Sequence, residues 1–178
     1  MDLNFSNFIP FASFPDGADI DTGEQGYNYG LEKGGIYLAF AGIMSNQYFQ
    51  PSRLLYIGKA EDNTNCLGKR INEHGVPQTN QFESDHARWR REQKLKPNER
   101  IGYCYAVVDD MATIADIENK LIYINQPPCN SKGKVNDCSS FSCPSITLKF
   151  PHKFAATQQL KGYNNTLDLC LSQIPSNK

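Results

Sequence analysis

What the chain lacks narrows its class first. No apolar run is long enough to cross a bilayer; the longest, near Ile36 to Met44, reads better as a strand. Met1 to Phe14 has neither a basic n-region nor a continuous apolar h-region, so a cytoplasmic location is expected, with no membrane partner. The six cysteines are scattered and never fall in a C-x-x-C pair, which fits reduced thiols better than a disulfide framework. Cys129, Cys138 and Cys143, with Cys104 or Cys170, make a poor zinc set for the same reason, and His152 lies far along. Asn164-Asn165-Thr166 matches a glycosylation sequon that has no meaning without secretion. The net charge of −1 does not by itself announce a polyanionic partner.

What is present is organised. The 178 residues suit one domain with extensions, long enough to bury a core without staples. Charge is unevenly spread. Met1 to Lys33 holds six acidic residues against one basic, whereas Arg53 to Arg100 holds ten basic against seven acidic. Lys132 to Lys178 holds six basic against two acidic, so a positive face is expected from the middle and tail. Residues 1–33, rich in Gly, Pro, Asp and Asn, read as a loop-rich arm. Residues 34–131 carry the periodic segments, and 132–178 form an extension that would carry part of that positive face.

Alternation and β-formers predict strands at Gly35–Phe40 and Leu54–Gly58, joined by an exposed loop over 41–53. Tyr37 and Ala39 fall on one face of the first, Ile36, Leu38 and Phe40 on the other. A helix is expected over Leu67–His74 with Asn65 as N-cap, and Leu67 and Ile71 as its buried stripe. A second is expected over Asp85–Leu95, capped by Ser84 or Asp85, then a strand over Ile101–Val108. A third helix starts near Thr113, with Thr113 and Asp116 as a capping box. Ile114, Ile117, Leu121 and Ile124 line one face of it, and Pro127-Pro128 end it. One strand over Ser145–Phe150 and a short helix near Thr166–Leu171 complete the expectation. The class is α/β (α+β): a small, mainly antiparallel three-stranded sheet flanked by helices, with N- and C-terminal extensions.

The polar residues are dull one by one. Their order is not. Gly35-Ile36-Tyr37 is followed by Tyr56-Ile57-Gly58-Lys59, then by Leu67-x-x-Arg70-x-x-x-His74. Glu118 stands later on a helix, before Pro127-Pro128-Cys129-Asn130. This set resembles the GIY-YIG nuclease superfamily, which includes homing endonucleases, excision-repair incision enzymes and some restriction enzymes. The resemblance covers about Gly34 to Ser131.

The resemblance implies a one-metal endonuclease hydrolysing DNA phosphodiesters, of restriction or mobile-element type, with RNA left open. It implies that Tyr37 is the general base and that Tyr56 positions water or phosphate. Arg70 would clamp the scissile phosphate through its planar fork, and His74 would bond the phosphate or a tyrosine. Glu118 would hold one Mg2+ or Mn2+ ion, and Asn130 would tie the site together. Hydrolysis of a phosphodiester needs a deprotonated water and positive charge where the phosphorane forms, and this set can supply both. A phenolate at neutral pH needs a nearby cation, and Lys59 is the candidate. One carboxylate suits a single ion that keeps several waters. The basic run of Arg88, Arg90, Arg91 and Lys94 around Trp89 is expected either to track a nucleic-acid backbone or to form a solvated helix face with Trp89 turned inward. The competing class is a binding protein that kept this scaffold without turnover.

Overall fold

Strand alternation is realised as a long hairpin. The computed structural model describes residues 1–11, 31–46, 48–61, 65–130 and 146–150. Two strands come from the N-terminal arm, β1 (Asp2–Asn4) and β2 (Ile9–Pro10). The hairpin is β3 (Gly35–Ser45) and β4 (Tyr48–Ala60). The expected exposed loop over 41–53 is instead paired strand as far as Ser45 opposite Tyr48. Phe49 and Pro51 are buried and alternate with Gln50 and Ser52, so the segment keeps a strand's period. Pro51 sits where the register slips, on an edge strand, the place a sheet tolerates proline.

β5 (Arg100–Val107) pairs antiparallel with the other side of β3, and β2 pairs with β5. The sheet order is β2-β5-β3-β4, four antiparallel strands where three were expected. The fourth comes from the arm read as loop. β1 makes a separate parallel pair with β6 (Thr147–Lys149), shorter than the strand expected over Ser145–Phe150. The bulk of the arm and the helix expected near Thr166 lie outside the described residues.

Each sheet face is covered. On one, Ile36, Leu38, Phe40 and Ile57 pack with Ile114, Ile117 and Leu121 of α3 (Ile114–Asn125). Leu3, Phe5, Leu148 and Phe150 join that cluster from the two ends of the described chain. On the other, Tyr37, Ala39 and Tyr103 pack against Leu67 and Ile71 of α1 (Leu67–Glu73) and Trp89 of α2 (Asp85–Arg91). Each fully buried Ile or Leu contributes about 1.5–3 kcal/mol. Among the described residues, no helix is long and apolar enough to cross a membrane.

Two of the three helix starts differ from expectation. Asn65 does not cap α1; Cys66 is the N-cap and makes no side-chain bond. The Leu67 and Gly68 N–H groups donate instead to the carbonyls of Lys33 and Leu31. Ser84 caps α2 as expected, accepting from the Ala87 N–H at 3.2 Å. That helix stops before Leu95 because Gln93 turns left-handed and the Lys94 N–H closes back on the Trp89 carbonyl. The capping box of α3 does not form; Asp110 caps a 3-10 turn over Met111–Thr113 that leads into it. Ile124 is only half-buried, and Ile122 and Asn125 take its place inside. Gln126, left-handed at φ 45°, ends the helix just before Pro127.

Candidate active site

The two glycines of the strand motifs have separate steric causes. A Cβ at Gly35 would stand 2.2 Å from the Ala106 carbonyl oxygen, so this glycine lets β3 and β5 approach. A Cβ at Gly58 would stand 2.3 Å from the Tyr37 ring, so this one lets the ring lie across β4. Tyr37 is opposite Gly58, and Tyr56 is opposite Ala39. The tyrosines are therefore diagonal neighbours on one face, with ring centroids 6.1 Å apart.

A cleft of about 210 Å³ opens beside them, lined by Tyr37, Tyr56, Lys59, Glu61, Asn65, Arg70 and Glu118. It straddles the edge strand. Tyr37 and Tyr56 belong to the face covered by α1 and α2, and Arg70 comes from α1. Lys59 pairs with Ile36, on the face covered by α3, which carries Glu118. The two sets meet at β4 next to side-chain-free Gly58. Just before that point Asn130 pairs with the outer edge of β4. Its Oδ1 accepts from the Ile57 N–H at 2.9 Å and its Nδ2 donates to the Ile57 carbonyl at 2.8 Å.

Burial pushes the Tyr37 phenol well above its ordinary pKa, and Tyr56, Tyr103 and Glu118 add to this. The opposing cation is Arg70, where Lys59 was expected. Lys59 is ion-paired with Glu61, and its charge acts on Glu118. Burial raises the Glu118 carboxyl, and Lys59 and Arg70 oppose that without cancelling it. Burial and then Glu118 raise the Tyr56 phenol, again against Arg70. Arg70 is also paired with Glu73, its neighbour one helical turn on.

No family model, curated protein or solved structure matches this chain. The cleft's own chemistry therefore carries the functional reading. Two phenols, a guanidinium, an ammonium and a half-buried carboxylate can hold a phosphoryl group and a hard cation together. Its carboxylates and hydroxyls are oxygen donors, which fit magnesium better than a soft metal. Among the described residues, no three His, Cys, Asp or Glu side chains converge as a metal cage. An ion here would keep most of its waters.

His74 bonds Tyr37: its Nε2 lies 2.8 Å from the Tyr37 hydroxyl. Trp89 is 1% exposed and packs inward. Arg88 is paired with Asp85, Arg91 with Glu83, and Arg90 donates to the Glu99 carbonyl at 3.3 Å. Lys94 is half-buried after the helix end. Three of the four basic side chains thus have partners within the chain, and they do not form a bare cationic stripe. Cys104 and Cys129 are buried free thiols; Cys138, Cys143, Cys170 and His152 lie outside the described residues.

Three residues at the site were missed from sequence, among them Asn65, read only as a helix cap but lining the cleft. Glu61 is a second carboxylate in the cleft, and its spacing of two from Lys59 was the available signal. Asp85 was read only as a helix-start residue, yet its Oδ2 lies 2.7 Å from His74 Nδ1. Nothing in the spacing joins Asp85 to His74 before the chain between them is folded.

Proposed function

We propose that this chain is a metal-dependent endonuclease of GIY-YIG type that hydrolyses DNA phosphodiester bonds. The observation that carries this reading is the convergence of Tyr37, Tyr56, Arg70 and Glu118 on one cleft, from both faces of the sheet. Strands and helices far apart in sequence deliver those groups to a single edge, which packing alone does not require.

In this reading Arg70 and Lys59 hold the scissile phosphate, and Arg70 neutralises the charge that grows on its oxygens. The Arg70 fork can grip two phosphate oxygens at once. Tyr37 takes a proton from the attacking water, and the Tyr56 hydroxyl orients that water or the phosphate. Glu118, with Glu61 in the same cleft, would hold one Mg2+ or Mn2+ ion. When bound, the ion supplies a Lewis acid at the phosphate. Asn130 fixes β4 where Tyr56 leaves it.

The test is cleavage of supercoiled plasmid by the full chain with magnesium, with manganese and with EDTA, alongside a single-stranded RNA. Metal-dependent nicking or linearisation, abolished by EDTA and in a folded Glu118→Gln variant, is the expected result. Retained, salt-sensitive DNA binding without cleavage under any metal would favour a binding protein on this scaffold. Cleavage of RNA alone would change the substrate.

A further inference from the structure

A line of hydrogen bonds runs from the cleft into the protein. The Tyr37 hydroxyl meets His74 Nε2 at 2.8 Å, and His74 Nδ1 meets Asp85 Oδ2 at 2.7 Å. Asp85 Oδ1 meets the Arg88 guanidinium at 2.6 Å. The far end sets the direction of each bond. Burial raises the Asp85 carboxyl, but the hydrogen bond from His74 and the charge of the paired Arg88 oppose this, and the group stays below its ordinary pKa. An ionised carboxylate only accepts, so His74 Nδ1 carries the hydrogen. In the neutral ring Nε2 is then bare and accepts from the Tyr37 hydroxyl.

Packing keeps this arrangement in place. His74 is 6% exposed. Its ring packs against those of Tyr56, 4.8 Å away, and Trp89, 5.5 Å away, with Tyr103 stacked at 6.4 Å.

We propose that Asp85 is a positioning residue of the nuclease: it fixes the His74 tautomer so that Tyr37 hands its own proton to His74 Nε2 while taking one from water. This rests on the nuclease reading above. The step balances. The water oxygen bonds to phosphorus, and the bond from phosphorus to the leaving oxygen breaks. One water proton moves to the Tyr37 oxygen, and the former Tyr37 proton moves to Nε2. The imidazolium so formed lies against the Asp85 carboxylate and later returns its proton to solvent, while the leaving oxygen takes one from solvent. A relay of this kind answers a problem the site otherwise has. Burial and the neighbouring acidic groups disfavour a standing Tyr37 phenolate. Passing one proton on as the other arrives avoids that species.

The experiment uses the full chain labelled with 15N-histidine, near neutral pH. NMR is expected to show His74 as the Nδ1–H tautomer. In single-turnover plasmid cleavage at saturating magnesium and DNA, Asp85→Asn should lower the rate by about 10²-fold or more with DNA affinity unchanged. An asparagine amide can donate to Nδ1 and so drive the hydrogen onto Nε2, the wrong tautomer. An Nε2–H tautomer in the wild type, or a wild-type rate in Asp85→Asn, overturns the proposal while leaving the nuclease standing. If Asp85→Asn unfolds, the wild-type tautomer decides alone. A wild-type chain that cuts neither DNA nor RNA overturns the nuclease reading, and the relay falls with it.

Discussion

The Tyr37 hydroxyl is buried against a buried imidazole, and this alters what its removal should do. Tyr37→Phe keeps the ring but leaves His74 Nε2 without its partner. Stability should fall by about 1–3 kcal/mol, the cost of an unsatisfied buried group. A hydroxyl bonded only to solvent would cost little. Urea denaturation measures the difference. The cleavage rate should fall by about 10²-fold or more. Arg70 is placed differently, about half-exposed at the cleft and paired with Glu73. Arg70→Ala should lower turnover more than DNA affinity, and Arg70→Lys should restore little, since an ammonium lacks the fork. Equal losses in both would make Arg70 a ground-state contact only.

At the scale of elements, the hairpin of β3 and β4 is the frame of the site. Gly58→Ala forces a Cβ against the far end of the Tyr37 ring and against the Tyr56 ring, side chains of the site and not backbone. Gly35→Ala forces one against the Ala106 backbone, which can only part from its neighbour strand. Gly58→Ala should therefore lose cleavage rate with the fold largely kept, and Gly35→Ala should lose stability first. Paired circular dichroism melts and cleavage rates separate the two. The sequence shows these elements unevenly, and the reason is range. The Tyr37 and Tyr56 faces follow from alternation inside each strand, and the stripe of Ile114, Ile117 and Leu121 from helical period. β2 escapes notice because two residues, Ile9 and Pro10, have no period and find their place only against Tyr103 and Gly102. Asp85 and Glu61 escape because their partners are chosen by folding. The helix caps failed where distant carbonyls, those of Leu31 and Lys33, took the role a local side chain was expected to fill.

For the molecule as a whole, acid stability should trace to His86. Burial first, then the charge of His74, lowers its pKa from 6.5 to about 3. A histidine depressed in the fold stabilises fully above its unfolded pKa and loses that contribution as pH falls through the folded one. Stability should thus decline from about pH 6.5 down toward about pH 3, as the unfolded chain takes up a proton that the fold resists. His86→Gln should flatten that slope, measured by urea titration across the range; an unchanged slope would assign it to other groups.

The parallel pairing of Asp2–Asn4 with Thr147–Lys149 sets a timetable for making the protein. Translation delivers Leu3 and Phe5 ahead of their companions Leu148 and Phe150, which emerge more than a hundred residues later. Until then β1 lacks its partner strand, and the face that β1 and β6 help to cover is incomplete. Such distant closure is slow, because loop entropy is lost before the contacts repay it. A polypeptide cut to residues 34–131, the span of the motifs, should therefore express poorly and melt well below the full chain, although it retains every proposed catalytic side chain. Equal melting temperatures for the two would mean that the ends clasp each other without holding up the middle.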